Sequence, residues 1–359
     1  MFNKFHVAED IAVRIQGDDM RATVENIFLK IGAPEKDAKR SADALLYADL
    51  HGIDSHGVSN MMKFYVSSIR KGDINPAPVI KIKKEAPAVA TVDSDKGLGL
   101  TVGPQAMELA MDKAETCGMG SVSVTNGQHF GAAAYHAHLA LERNMIGLAM
   151  TQGGLYMPPT HGSKPIMGVN PVAMAVPTRD EAPFLFDAST SSVAVNKIIL
   201  ARRNGVNIPG GWIAKPDGTP IMEEQPAPEK FTMLPVGGTR EIGSHKAYSQ
   251  AVMWDVLCGL LSGGGPGFLR RDGICHHFIA YNIDAFTDLE SFKDDMDFYM
   301  KSLRECEPAP GEDRVLYAGL PEHETYQDRS VNGIPYHPEV IKWFHKKTAE
   351  LGVEHQLGD

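Results

Sequence analysis

Residues 48–60, ADLHGIDSHGVSN, set two histidines and two aspartates among glycines. Three chemistries suit that set: metal binding, proton transfer, or the polar capping of a turn between helices. His51 and His56 are five apart, each followed by a glycine, so they do not share a helical face as the ligands of H-E-x-x-H do. No metal site is assigned on that spacing. Asp54 or Ser55 is placed to accept from the exposed N–H groups of a helix opening near Val58, and the glycines permit the turn. Capping leaves His56 unexplained. A histidine at a helix N-terminus feels the positive end of the dipole, which lowers its pKa into a range suited to proton transfer. A second patch, TNGQHFGAAAYHAHLA (125–140), ends a strand and opens a helix with Asn126, Gln128 and His129 at the junction, where α/β proteins place ligands. His136 and His138 lie deeper in that helix and read as packing or surface residues. A third patch, FLFDASTSS (184–192), ends an apolar strand with Asp187, which can orient a histidine, bind a ribose or cap the next helix.

The elements that must position these groups show in the periodicity. Met20, Val24, Ile27, Phe28 and Ile31 recur at helical spacing until Gly32-Ala33-Pro34; a second helix runs from about Glu35 to Ala48 and a third from near Val58, burying Met61, Met62 and Tyr65. From Val79 the pattern changes to short apolar runs, VIKI, AVATV, GSVSVT, IGLAMT, PVAMAVP, FLFDAS and HHFIAYNI, with helical stretches at 101–117, 131–144, about 191–204, 245–262 and 288–305. HPEVIKWFHKKTAELG closes the chain as an amphipathic helix. The alternation predicts an α/β or α+β body behind an all-helical opening region, with a proline-bearing hinge at 72–78. The Gly/Pro-rich stretch 204–231 is long for a loop, and such loops are more often functional than idle.

Composition narrows the function. Of 359 residues 43% are hydrophobic, enough for two or three cored domains; the formal charge of −10, with no long basic run, disfavours nucleic acid and anionic membranes as partners. The first twenty residues carry acids and no apolar core of signal-peptide length, and AVMWDVLCGLL is short and broken by Asp255, so no span of a bilayer is expected. Cys117, Cys258, Cys275 and Cys306 are widely spaced and read as buried free thiols of a reducing cytoplasm. Neither G-x-G-x-x-G nor G-x-x-x-x-G-K-[ST] occurs, so any dinucleotide binds outside the usual Rossmann manner.

Taken together, ADLHGIDSHGVSN, INPAP, NGQHFGAAAYHA, MGVNPVAMAVP, FDASTSSVA, IPGGW, LPVGGTREIGSHKAYSQAVMWDVLCGLLSG and LPEHE resemble, in order and over nearly the whole chain, the malate/L-lactate/sulfolactate dehydrogenase family. That family also includes ureidoglycolate dehydrogenase, diketogulonate reductase and piperideine-2-carboxylate reductase. The resemblance implies an NAD- or NADP-dependent oxidoreductase, usually a homodimer, whose non-Rossmann cofactor domain is built on a large, mostly antiparallel mixed sheet flanked by helices. The family's S-H-G and N-x-x-H histidines fall on His56 and His129, and its D-[MA]-[AS]-T acid on Asp187, beside the cofactor and a partner for the general acid. The cofactor-contacting stretches fall on Asp187, Ala188, Ser189 and Thr190, on His245 and Lys246, and on a turn at Glu322, His323 and Glu324; GVNP at 168–171 is expected to line the same cleft. Two departures stand out. Many members have arginine at His51, and the family's S-H-G-V-x-R places against the substrate carboxylate an arginine that is Asn60 here. Family glycines are also replaced by Asn196 and Ala247.

The expectation is therefore a helical domain, 1–78 joined by 320–359, packed on a cofactor-binding sheet domain, 79–319, with the cleft between them. His56 or His129 moves the proton, Asn126 and nearby N–H groups steady the developing charge, and His51, Ser55 and Asn60 touch the substrate. Because Asn60 offers neutral hydrogen bonds, simple 2-oxo acids are expected to lose part of their anchoring unless His51, protonated, or Arg70 restores a charge. Arg202 and Arg203 read as a grip for a 2′-phosphate or as a solvated face. A metal-dependent hydrolase using the same histidines, or a dinucleotide-binding homologue with altered catalysis, are the other classes open at this point.

Overall fold

The computed structural model describes residues 5–358; the first four residues of the N-terminal reading, and Asp359, lie outside them. In chain order the elements are β1 (Val13–Ile15), α1 (Gly17–Lys30), α2 (Glu35–Leu50), α3 (Val58–Lys71), β2 (Lys81–Ala86), β3 (Val89–Asp93), α4 (Gly99–Cys117), β4 (Met119–Gly127), α5 (Ala133–His138), β5 (Met145–Thr151), β6 (Leu155–Met157), β7 (Met167–Gly168), β8 (Val172–Val176), β9 (Phe184–Ala188), α6 (Val195–Arg203), β10 (Ile213–Ala214), β11 (Thr232–Met233), α7 (Ser244–Asp255), β12 (Ile274–Asn282), α8 (Leu289–Arg304), α9 (Leu320–Asn332), β13 (Ile334–Tyr336) and α10 (Pro338–Leu351). The stretch predicted as one helix at 131–144 is α5 followed by a 3₁₀ turn, and that at 245–262 is α7 followed by a π turn at Val256–Leu260. Glu322, His323 and Glu324 lie in the first turn of α9, which opens after a left-handed Gly319 with proline in its first turn, and not in an isolated turn.

One sheet of seven strands, in the order β2-β3-β4-β12-β5-β8-β9, organises the body. Only β3 and β4 run parallel; the other neighbours are antiparallel, so the sheet is mixed and mostly antiparallel. The pleat sends alternate side chains of β12 to opposite faces. Phe278 and Ala280 meet Met107, Ala110 and Ala114 of α4, whereas Cys275 and Ile279 meet Cys258 and Trp254 beyond the sheet's other face. A separate apolar core joins α1, α2 and α3 to β13 and α10 through Met20, Phe28, Leu45, Tyr65, Tyr336 and Phe344. β1 pairs antiparallel with β13, so the two ends of the chain close this helical body together. A smaller core around Ile198, Trp212 and Met233 gives the 204–231 stretch its own packing, with Phe5 inserted beside Trp212. All four cysteines are free; Cys258 and Cys275 are buried as expected, but Cys117 and Cys306 are exposed, because the first ends α4 and the second follows α8.

Candidate active site

The turn between α2 and α3 owes its shape to buried acids. Gly52 takes a left-handed φ of 74° after the last turn of α2, and Ile53 N–H returns to Ala48 O at 2.8 Å. The cap of α3 comes from Asp49, not from Asp54 or Ser55: its Oδ2 accepts from Val58 N–H at 3.1 Å and from the Tyr336 hydroxyl at 2.9 Å. Asp49 is 1% exposed, and burial, with Asp54 nearby, pushes its pKa up to about 7. A Cβ on Gly57 would stand 1.7 Å from Asp49 Oδ1, so only glycine fits there. Asp54 turns to Arg329 of α9 and to His6: Arg329 Nη1 donates to its Oδ1 at 2.6 Å, and His6 Nδ1 meets its Oδ2 at 2.9 Å. Burial pulls Asp54 upward, but these bonds together hold its pKa below the usual carboxylate value. Sequence reasoning assigned no role to Asp49 or Arg329; nothing local to α9 signals a partner 275 residues away.

His56 and His129 come together. Their rings lie parallel within 3° with centroids 5.8 Å apart. His56 Nδ1 hydrogen-bonds Ser55 Oγ at 2.8 Å. His129 Nδ1 meets the Tyr65 hydroxyl at 2.7 Å and accepts from Gly131 N–H at 3.2 Å, which places the neutral ring's proton on Nε2. Its position is fixed by the next residue: Phe130 is buried between the His136 and His276 rings, at 4.7 and 5.0 Å, which turns His129 toward α3. Burial lowers the pKa of His56 to about 4; burial and then the charge of His56 lower His129 to about 3. Two such coupled rings hold at most one proton between them near neutrality. Tyr65, read in sequence only as part of an apolar face, is thus the side chain that holds His129.

The remaining site residues divide. Asn60 stays with the pair's loop, its Nδ2 near Asp54 O and Ser55 O at 3.3 and 3.4 Å, and Asn196 of α6 donates to Ser55 O at 2.7 Å. His51 joins a different cluster, stacked between Tyr47 (3.9 Å) and Tyr326 (4.8 Å) with Nδ1 donating to Tyr47 O. Burial lowers its pKa to about 4, so it is neutral and cannot supply the charge missing at Asn60. Arg70 cannot either, since it is paired with Glu350 at 2.5 Å. Asp187 accepts from Ala134 N–H at the start of α5 at 2.7 Å, and no hydrogen bond joins it to either imidazole. The residue is exposed as a whole, yet desolvation of its carboxyl raises its pKa to about 6, with Glu322 contributing. Asn126 spends its amide on Asp93 at 2.9 Å from a left-handed φ of 57°, which makes it a turn-holding residue rather than a donor to the pair. Asn170 of GVNP is buried and ties Gly153 N–H to Ala251 O.

The stretches expected to contact the cofactor carry groups of the right kind. The charge of Glu322 reaches Asp187 across the ends of α9 and β9. α7 opens after left-handed Gly243 with no side-chain cap, and behind its first turn His245 Nδ1 is buried without a partner. An uncapped helix start with a lysine, Lys246, suits a pyrophosphate. Ser189 Oγ bonds Ser191, Ala188 ends β9, and Val236 N–H on Thr190 O ties this segment to the Pro235–Gly238 turn. Thr190 itself is buried and its hydroxyl donates to Val169 O. Glu324 is held by both Arg314 Nη atoms and His323 by Gln327, so of the three α9 residues only Glu322 is unspent on such a bond.

Comparison with known proteins finds similarity over nearly the full length. The family model described as malate/L-lactate dehydrogenase matches residues 15–344. A malate dehydrogenase of Pyrococcus abyssi is 39% identical over 99% of both chains, and an L-sulfolactate dehydrogenase of Methanocaldococcus jannaschii is 36% identical over 83% of this chain and 86% of that one. The solved malate dehydrogenase of Pyrococcus horikoshii superposes with a TM-score of 0.89 at 33% identity, covering 98% of this chain and 99% of that one. This chain belongs to the malate/L-lactate dehydrogenase family and is a dehydrogenase that works with NAD or NADP.

Proposed function

We propose that the protein moves hydride between the nicotinamide and the carbonyl or hydroxyl carbon of a small 2-oxo or 2-hydroxy acid, with the His56–His129 pair carrying the accompanying proton. The observation that carries this reading is the parallel, closely spaced pair of half-buried imidazoles, each held through Nδ1 by a hydroxyl. Such a pair is orienting and single-proton by construction: Ser55 and Tyr65 fix the rings, and the charge of one disfavours charging the other. The bound cofactor supplies or accepts the hydride. Asp187 and Glu322 are suited to its ribose hydroxyls, and Lys246 with the start of α7 to its phosphates. In the reducing direction the pair delivers a proton to the oxygen of the reduced carbonyl; in the oxidising direction its neutral form removes one from the hydroxyl. Relatives named for malate and sulfolactate support a hydroxy-acid substrate, and the solved piperideine-2-carboxylate reductase shares the fold, which makes cyclic imines worth assaying.

The pair's loop belongs to a helical body, 1–78 with 320–359, and His129 to a sheet body, 79–319; their separate apolar cores support this division and a cleft between them. The protein acts as a cytoplasmic homodimer in this reading. Exposed Met253, Leu260, Leu261, Phe268 and Leu269, gathered around α7 and the turns after it, give apolar surface for a second copy, and the four unpaired cysteines suit a reducing compartment. The test is NADH and NADPH oxidation against a panel of 2-oxo acids, their amides, ketones and cyclic imines. Turnover of a 2-oxo acid with either cofactor is the expected result; no turnover across the panel would overturn the reading.

A further inference from the structure

Asn60 removes a cation from the position where the family's arginine meets a carboxylate, and the two compensating groups suggested by sequence are both unavailable. His51 is a neutral ring stacked between tyrosines, and Arg70 is engaged with Glu350. A third cation, Arg203 at the last turn of α6, stands where they do not. Its Nη2 donates to Asn60 Oδ1 at 3.0 Å, so its guanidinium lies one hydrogen bond beyond the amide. Asn60 in turn reaches Ser55 O, and Ser55 holds His56. Asn196, two helical turns earlier on α6, bonds the same Ser55 carbonyl, so α6 is locked to the His56 loop at both ends.

Arg203 is also uncommitted in charge. It is half-buried, and among the described residues no carboxylate lies within salt-bridge distance of it; its only side-chain partner is the neutral Asn60 amide. Asp54 and Ser59 line the same narrow crevice, but Asp54 is already bound by Arg329 and His6. Glu339 is the acid whose charge it feels, without contact. Its neighbour behaves differently: Arg202 points away to the carbonyls of Ala227 and Pro228, so the two do not form a joint grip for a 2′-phosphate. A half-buried guanidinium with free N–H groups and no counter-ion is an anion site in waiting.

We infer that Arg203 is a specificity-determining residue: steered by Asn60, it meets the substrate's carboxylate and replaces the arginine lost from position 60. The inference rests on the oxidoreductase reading above and narrows it to carboxylate-bearing substrates. The experiment compares the best-turned-over 2-oxo acid of the panel with its neutral amide, in wild type and Arg203→Gln, alongside NAD(P)H affinity by fluorescence titration. Arg203→Gln is expected to raise KM for the acid by about 10- to 100-fold while kcat, the amide and cofactor affinity change little. Equal losses on acid and amide, or an undiminished acid activity, would overturn the inference while leaving the oxidoreductase reading intact. A wild type that turns over no 2-oxo acid would overturn both. Should Arg203→Gln fail to fold, Arg203→Lys serves: it keeps the charge but not the fork, and about a three- to tenfold rise in KM confined to the acid is expected.

Discussion

Arg329→Met tests whether the His56 loop is held by buried charge. Arg329 is 5% exposed and bonds both Asp54 oxygens, at 2.6 and 3.4 Å, and the Asp49 carbonyl at 2.5 Å. Methionine fills much of the same volume but leaves Asp54 with His6 alone and Asp49 with no cation nearby. Breaking one side of a buried ion pair costs about 3–5 kcal/mol. Asp54 keeps 21% of its side chain exposed, which puts the expected loss near the lower end, about 3 kcal/mol. With a urea slope of about 3 kcal/mol per molar, the midpoint should fall by about 1 M at unchanged slope. Since both aspartates position the turn, kcat should fall more than KM rises. The double variant Arg329→Met/Asp54→Leu should recover at least about 1.5 kcal/mol, because it removes the stranded charge with its partner. A loss below about 1 kcal/mol in the single variant, or strictly additive losses in the double, would refute the claim that this pair holds the loop.

Three further outcomes are expected. His136 is fully buried, its Nε2 donates to Phe130 O and its Nδ1 is unpartnered, and burial lowers its pKa from 6.5 to about 4. The unfolded chain therefore takes up this proton first as pH falls below 6.5, and stability drops until about pH 4; over that window the group contributes about 3 kcal/mol, so His136→Phe should make the acid limb of urea stability less steep between pH 7.5 and 4.5. An unchanged limb would show that His136 is not among the groups responsible. Lys246→Ala should weaken NAD(P)H binding by about tenfold or more in calorimetry with little change in melting temperature, and unaltered affinity would remove Lys246 from the phosphate site. Gly57→Ala should destabilise by at least about 3 kcal/mol in urea, since the new methyl displaces the Asp49 carboxylate and strands Val58 N–H and the Tyr336 hydroxyl; wild-type stability would mean the turn relaxes freely.

The periodic parts of the fold were legible in the chain, and the reasons are local. Six strands of the main sheet were announced by short apolar runs, and α1 to α3 by their helical spacing, because a buried face imposes its period on the sequence; β2, KIKKEA with every residue exposed, was touched only by the VIKI run at its start. The two-residue and three-residue strands β1, β6, β7, β10, β11 and β13 were not announced, since strands so short carry no pattern. α9 was read as a turn because its polar sequence has only Leu320 and Arg329 buried. At the site, local chemistry singled out His56, His129 and Asp187 but misassigned the groups that hold them. Asp49 reads as one more helical residue, yet folding brings it to the cap that Asp54 seemed placed to fill. Tyr65, Arg203 and Arg329 act across long separations in the chain, and no short motif encodes such a contact. Asn126 looked like a donor beside the histidine, but the left-handed turn after β4 directs its amide back to Asp93.

The account stands most directly on the two imidazoles. His56→Asn and His129→Asn, assayed with the NAD(P)H and 2-oxo acid that the wild type uses, should bind cofactor nearly as wild type does. Turnover should fall by about 10²-fold or more in at least one of them, the proton carrier. Wild-type turnover in both variants, with cofactor affinity intact, would contradict the assignment of proton transfer to this pair.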